Sequence, residues 1–254
     1  MVEIIVCIKQ ILDVTQIKVD SKSLTPKVEG VPKKISDFDK NALEEAIRLK
    51  EKHGGKVIVV TAGPPGAKDA IKEALAMGAD EASVLYDPSF ITSDTLITAT
   101  ILACIIKKIE KWNMILCAEA SIDEYSAQVG PRLAEALNLP QITYVRKLEI
   151  VDGNKVVAER DLEDCYEVVE SEFPVLLTVN KEINEPRLPT LLQIVSAKKK
   201  KITEWTLSEL GFSKEDIEKL SAMQTLEIIA PKIARKRIML DKVEDLSKKI
   251  LDVI

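Results

Sequence analysis

The residues best suited to chemistry in this chain lie in three short segments, each of which directly follows an apolar run. The segment SIDEYSAQVGP (121–131) opens a helical pattern, and main-chain N–H groups at the positive end of a helix suit a phosphate. The segment TAGPPGAK (61–68) has small side chains, including Ala62 and Gly63, so a ligand can approach its backbone. The remaining segment, KQILDVTQIKVD (9–20), follows the first apolar run. The three segments together predict a nucleotide site.

Acid–base and metal chemistry are poorly supported by the same sequence. His53 is the one histidine of the chain, and neither a P-loop nor a G-x-G-x-x-G fingerprint is present. A packing role for Gly130 stays open beside the phosphate role. The cysteines show no C-x-x-C pairing, so we expect no disulfide framework, no metal site and a reducing, cytoplasmic location. The net charge of −5 disfavours nucleic acid as a partner, and we expect neither a signal peptide nor a membrane-spanning segment.

Alternating strand and helix patterns must position these segments. Short apolar runs rich in β-branched residues predict buried strands at 2–9, 56–62, 82–87 and 114–120. Apolar stripes at helical spacing predict helices at 39–55, 66–80, 93–112 and 127–139. This order predicts the α/β class, with a doubly wound and mostly parallel sheet. In such sheets ligands bind at the carboxyl ends of the strands, which is where the three segments lie.

After Pro140 the pattern changes. Alternating strands around Asp152-Gly153-Asn154 predict a hairpin, residues 166–172 a further antiparallel strand, and residues 173–180 a buried strand. Beyond residue 203 we expect no core strand, and an apolar stripe predicts an amphipathic helix over 240–254. We therefore predict a nucleotide-binding core at 1–200 and a C-terminal arm at 201–254 whose helix packs on another protein.

The segment NEPRLPTLLQIVSAKKKK (184–201) joins exposed leucines to a run of lysines. Pro186 and Pro189 disfavour a regular helix or a central strand. We interpret its leucines as a docking surface for another protein. The lysine run (198–201) is either part of an interface or a solvated basic turn.

Four stretches together resemble the β subunit of electron transfer flavoproteins: ALAMGADEA (74–82), DKNALEEAIRLKEK (39–52), SIDEYSAQVGP (121–131) and NEPRLPTLLQIVSAKKKK (184–201). The resemblance covers nearly the whole chain in order. It implies a heterodimer with an α subunit that carries an electron-transferring FAD, a universal-stress-like adenine-nucleotide-binding core, and an arm that reaches over the α subunit.

The resemblance also implies site residues. The implied cofactor-binding residues are Ile8, Lys9, Asp13, Ser36, Ala62, Gly63, Asp123, Ser126, Ala127, Gln128, Val129 and Gly130. In the recognition loop (184–197), Leu191 corresponds to the anchor that docks a dehydrogenase or a membrane-associated quinone oxidoreductase, with Leu188, Pro189 and Arg187 beside it. Glu167 corresponds to an acidic residue that helps to position the flavin domain of the α subunit.

Ala127-Gln128-Val129-Gly130-Pro131 resembles the branch of the family whose β subunit holds a second FAD. In that branch the flavin takes two electrons from NADH and divides them between a high-potential and a low-potential acceptor, which is called bifurcation. The chain departs from that branch at Glu124-Tyr125-Ser126, where Gly-Asp-Thr is usual, and it has Ala118-Glu119-Ala120 where an arginine is expected. The alternatives are an AMP-binding, non-bifurcating β subunit and a stand-alone universal-stress-type module.

Overall fold

A computed structural model describes residues 1–91, 94–221, 223, 225–231 and 246 of the chain. The strands are β1 (Val2–Cys7), β2 (Gln10–Leu12), β3 (Lys18–Val19), β4 (Pro26–Lys27), β5 (Lys33–Ile35), β6 (Gly55–Gly63), β7 (Glu81–Tyr86), β8 (Met114–Ala118), β9 (Gln141–Val151), β10 (Lys155–Asp161), β11 (Tyr166–Glu172), β12 (Val175–Val179) and β13 (Lys201–Trp205). The helices are α1 (Asp37–His53), α2 (Lys68–Met77), α3 (Thr95–Lys107), α4 (Val129–Leu137), α5 (Leu191–Ala197) and α6 (Lys214–Leu220).

A single large sheet organises the described part of the chain. Its strands follow the order β11-β10-β9-β12-β8-β1-β6-β7-β13. The neighbouring strands β9-β12-β8-β1-β6-β7-β13 pair in parallel, whereas β10 pairs antiparallel with β9 and with β11. The predicted α/β class, with a mostly parallel sheet and a small antiparallel extension, is confirmed.

Helices cover both faces of the sheet. Alternate residues of each strand point to opposite sides, so each strand packs against helices on both faces. On one face, Ile4 and Val6 of β1 pack in a cluster with α1 and α2. On the other face, Ile5 and Cys7 pack in a cluster with α3, α4 and α6. Burial on both faces explains why the central strands read as continuous apolar runs.

The helix α3 begins at a side-chain cap. The Asp94 carboxylate caps α3, because it accepts hydrogen bonds from the main-chain N–H groups of Leu96 and Ile97, both at 2.9 Å. The helix patterns were predicted a few residues too long: α3 ends at Lys107 and α4 spans Val129–Leu137. The hairpin at 152–154 and the strand at 166–172 are confirmed.

One local prediction was wrong. The recognition loop contains the helix α5, because both prolines precede its first turn and Thr190 and Gln193 form a capping box. The edge strand β13, which pairs in parallel with β7, was not named from the sequence. Its sequence, KITEW, is mostly polar because an edge strand is half exposed, so it lacks the apolar run of a core strand.

The chain divides into two compact units. The first comprises residues 1–17 and 28–226 and contains the large sheet, so it extends past residue 200, where the sequence placed the end of the core. The second comprises residues 18–27 and 227–254, and in it β3 pairs antiparallel with β4 while the Ala230 N–H donates to the Leu24 carbonyl at 2.8 Å. The amphipathic helix predicted over 240–254 lies outside the described residues apart from Leu246.

Candidate nucleotide site and recognition loop

A cavity of about 460 Å³ opens at the carboxyl ends of β1, β6 and β8, as expected for an open parallel sheet. This volume lies within the range of small-molecule sites in proteins. Most of the cofactor-binding residues named from the sequence line it: Ile8, Lys9, Ala62, Gly63, Asp123, Ser126, Ala127, Gln128, Val129 and Gly130. The topology therefore brings together the three segments that the sequence singled out.

The amino-terminal end of α4 forms one wall of this cavity. Gln128 precedes the helix without capping it through its side chain, and its Oε1 instead accepts a hydrogen bond from the Thr95 hydroxyl at 2.9 Å. The first N–H groups of a helix have no partner within the helix, and they carry its positive dipole end. This wall therefore suits an anionic group of a ligand.

Gly130 also meets a packing requirement at this wall. A Cβ atom at position 130 would lie 2.5 Å from Cγ2 of Thr178 on β12, a distance that no packed side chain tolerates. The absence of a side chain lets α4 approach the sheet closely, which places the helix end at the cavity. The packing role left open from the sequence is therefore present in the structure.

Lys9 joins the loop after β1 to the loop after β8. Its Nζ lies 3.0 Å from Oδ1 of Asp123 and 3.3 Å from Oε2 of Glu124. The Lys9 Nζ also donates to the Ser121 hydroxyl at 3.4 Å. These contacts hold the loop after β8 against the loop after β1 across the cavity.

Asp39, which sequence reasoning missed, lines the cavity from the first turn of α1. Its Oδ2 accepts a hydrogen bond from the main-chain N–H of Lys9 at 2.7 Å. Burial raises the pKa of Asp39 to about 7, although the Lys9 N–H and charge act in the opposite direction. In the sequence an acidic residue in the first turn of a helix is ordinary, so the pattern contained no separate signal for this position.

Asp13 and Ser36 do not lie among the residues that line the cavity. The Asp13 carboxylate accepts hydrogen bonds from the Thr15 hydroxyl at 2.7 Å and Gln16 Nε2 at 2.8 Å, and these bonds lower its pKa to about 2. The Ser36 hydroxyl is buried and accepts from the Ile122 N–H at 3.3 Å. Both residues therefore shape loops next to the cavity.

Glu119 occupies the stretch where the resemblance led us to expect an arginine. It lines the cavity, and its Oε1 accepts a hydrogen bond from the Tyr125 hydroxyl at 3.4 Å. Burial raises the pKa of Glu119 above its ordinary value. This part of the wall is therefore acidic instead of basic.

The recognition loop presents apolar side chains to solvent. The exposed fractions of Leu188, Leu191 and Leu192 are 89%, 81% and 83%. Pro189 lies between the first two of these leucines and directly before Thr190, the cap of α5. The structure therefore places the predicted anchor on the surface of a short capped helix.

Arg187 and Glu167 are both engaged within the chain. The Arg187 Nε donates to Glu44 Oε2 at 2.8 Å, so this guanidinium is directed at α1. Glu167 lies on β11 and accepts a hydrogen bond from Arg160 of the neighbouring strand β10. Its carboxylate is partly exposed.

The comparisons with known proteins agree with this architecture. Residues 23–210 match the model of the electron transfer flavoprotein domain. The chain is 47% identical to the electron transfer flavoprotein subunit beta of Thermoanaerobacterium thermosaccharolyticum over 84% of this chain and 82% of that protein. It is 45% identical to the corresponding subunit of Clostridium acetobutylicum over 84% of this chain and 82% of that protein.

A further relative is the caffeyl-CoA reductase-Etf complex subunit CarD of Acetobacterium woodii, which is 43% identical over 84% of this chain and 81% of that protein. Within the described residues, no helix is long and apolar enough to cross a bilayer. The family match includes both the cavity loops after residue 60 and the recognition loop. From this match and these relatives, the chain belongs to the electron transfer flavoprotein family, as a beta subunit that pairs with an alpha subunit.

Proposed function

We propose that this beta subunit binds FAD in the cavity at the ends of β1, β6 and β8 and receives electrons from NADH for bifurcation. The observation that carries this proposal is the uncapped amino-terminal end of α4, built from Ala-Gln-Val-Gly-Pro, on the wall of that cavity. When bound, FAD would supply the electron transfer itself, and protein groups would bind and orient it.

The cavity residues fit the adenosine-phosphate part of such a cofactor. Main-chain N–H groups at Gln128, Val129 and Gly130 suit the phosphates. Small side chains at Ala62, Gly63, Ala118, Ala120 and Ala127 leave room for a flat base beside the sheet. The ion pairs of Lys9 with Asp123 and Glu124 would hold the surrounding loops in place.

The recognition loop would dock a dehydrogenase-type redox partner. A leucine side chain that passes from water into an apolar pocket contributes about 2 kcal/mol, which suits a contact that forms and breaks quickly. Exposed lysines beside it, such as Lys198 and Lys199, would speed the encounter with an acidic surface. The name of the Acetobacterium relative assigns that protein to a complex with a reductase, which supports a partner of this class.

Similarity within the family extends to residue 210, well beyond the nucleotide-binding part of the chain. A stand-alone universal-stress-type module would not account for this, so we do not propose one. We place the complex in the cytoplasm, on the sequence argument from cysteine usage.

Cofactor analysis of the purified heterodimer tests the proposal. The beta chain would be co-expressed with its alpha subunit, and the flavin and adenine nucleotides released by denaturation would be counted by chromatography. We expect two FAD per heterodimer and bleaching of the flavin spectrum on addition of NADH. One FAD and one AMP per heterodimer would instead identify a non-bifurcating beta subunit and overturn the proposal.

A further inference from the structure

One face of α1 holds the chain that leads into the recognition loop. Asn41 Nδ2 donates to the Asn184 carbonyl at 2.7 Å, and Asn184 Nδ2 donates back to the Asn41 carbonyl at 3.0 Å. Asn184 Nδ2 also donates to Glu45 Oε2 at 2.9 Å. Arg48 continues the row, because its Nη2 donates to the Glu185 carbonyl at 3.1 Å.

Arg187 closes this row of contacts with a two-sided ion pair. Its Nε and Nη2 donate to the two carboxylate oxygens of Glu44 at 2.8 and 3.1 Å, and Nη2 also donates to Glu51 Oε2 at 3.0 Å. Glu44 is buried, with 2% of its surface exposed. Burial alone would raise the pKa of Glu44, but hydrogen bonds from Arg187 and Arg48 outweigh it and hold that pKa below its ordinary value.

The far end of α5 is held by a different residue. Lys200 Nζ donates to the carbonyls of Leu75 and Ala79, at 2.9 and 2.6 Å, at the carboxyl end of α2. The seven-residue helix between these two attachments buries Ala197, while Leu191, Leu192 and Val195 are exposed. A helix this short is not stable by itself in water. Its shape therefore depends on its attachments.

We infer that Arg187, paired with Glu44 and Glu51, is a positioning residue that orders the exposed leucines of the recognition loop before the redox partner arrives. The inference rests on the proposed docking function of Leu191. Ordering the helix in advance removes a conformational entropy loss that would otherwise oppose association. This role does not require Arg187 to contact the partner, because every guanidinium nitrogen of Arg187 already donates to a carboxylate of α1.

Two measurements on the intact heterodimer test this role. Arg187→Gln, combined with Glu44→Gln so that no buried charge is left unpaired, should raise amide hydrogen exchange in 188–197 about tenfold. The same variant should raise the KM for the redox partner about tenfold, with FAD content and kcat unchanged. For the exchange measurement, Lys199→Gln is the matched control, because it removes an exposed positive charge from the same segment without touching α1. Unchanged exchange in the Arg187 variant would overturn the inference.

A double-mutant cycle with Leu191→Ala separates positioning from direct contact. If Arg187 acts through the leucines, its effect on KM should shrink to less than threefold once Leu191 is absent. Effects that multiply would assign Arg187 to the interface itself and overturn the inference. A Leu191→Ala variant with wild-type kinetics would reject the docking proposal, whereas the exchange measurement would still decide how α5 is held.

Glu51→Gln serves if the doubly substituted protein does not fold. Glu51 is half exposed, so its loss removes one side of the ion pair at small risk to the core. We expect a smaller increase in exchange over the same residues. No increase would again overturn the positioning role.

Discussion

The main-chain N–H of Lys9 donates a 2.7 Å hydrogen bond to the buried Oδ2 of Asp39. This contact ties the loop after β1 to the first turn of α1, and both residues line the proposed cofactor cavity. The Lys9 ammonium extends the connection to Asp123 in the loop after β8. Lys9 thus links the loop after β1 both to α1 and to the loop after β8.

Asp39 should make the stability of the isolated subunit depend on pH. Its pKa is about 7 in the fold and 3.8 in an unfolded chain. Between these two pH values the native state therefore binds more protons than the unfolded state. This contribution to the free energy of unfolding therefore falls as pH rises from about 4 to about 7. Asp39→Asn should raise the free energy of unfolding at pH 8 by at most about 4 kcal/mol, measured as a higher midpoint of denaturant unfolding. Near pH 4 it should match the wild type. An equal gain at both pH values would contradict this assignment.

Gly130→Ala should destabilise the subunit and loosen its nucleotide. The added methyl would meet Thr178 Cγ2 at 2.5 Å, so α4 must move away from the sheet. Overpacking of this kind costs about 1–3 kcal/mol. We expect a lower melting temperature and a faster loss of the bound nucleotide on dilution, both measured on the purified heterodimer.

Thr178→Ser provides the matched rescue for Gly130→Ala. Serine lacks the Cγ2 methyl group but keeps the hydroxyl that accepts from the Tyr144 N–H at 3.3 Å. The double variant should regain most of the melting temperature lost by Gly130→Ala. A double variant as unstable as the single one would mean that the helix end does not require this close approach.

Leu191→Ala should slow electron exchange with the redox partner and leave cofactor content unchanged. Loss of about 2 kcal/mol of burial corresponds to a tenfold to thirtyfold higher KM, as a rough estimate. The measurement is steady-state reduction of the partner together with a flavin count. Val19→Ala, at an exposed aliphatic position elsewhere, should behave like the wild type. Loss of nucleotide from the Leu191 variant would assign the helix a structural role instead.

Lys200→Met should destabilise the subunit, whereas Lys198→Met should not. The Lys200 ammonium donates to two carbonyls at the end of α2, and Lys198 is exposed. Loss of these bonds should lower the free energy of unfolding by about 1 kcal/mol, measured by denaturant unfolding. Equal effects of both substitutions would remove the structural distinction within the lysine run.

Much of this architecture could be predicted from the sequence alone because its signals are local. Runs such as VEIIVCIK reflect burial on both faces of a sheet, and helix stops such as Gly78 reflect backbone geometry. Leu191 stands on an exposed surface as predicted, since an apolar residue in a short segment that directly follows two prolines has no long stripe with which to join the core. The order of the elements along the chain therefore determined the fold class, the cavity loops and the recognition loop.

The partners of individual side chains were decided by tertiary structure. Asp39 looked like an ordinary helix-start acid until the fold placed the Lys9 amide above it and removed water around it. Arg187 looked like a docking charge, yet it pairs with Glu44, which is far from it in sequence. Strand β13 was missed because an edge strand needs main-chain partners more than apolar side chains. Such pairings depend on which segments the sheet brings together, and the sequence pattern alone does not give the distance in space between two segments.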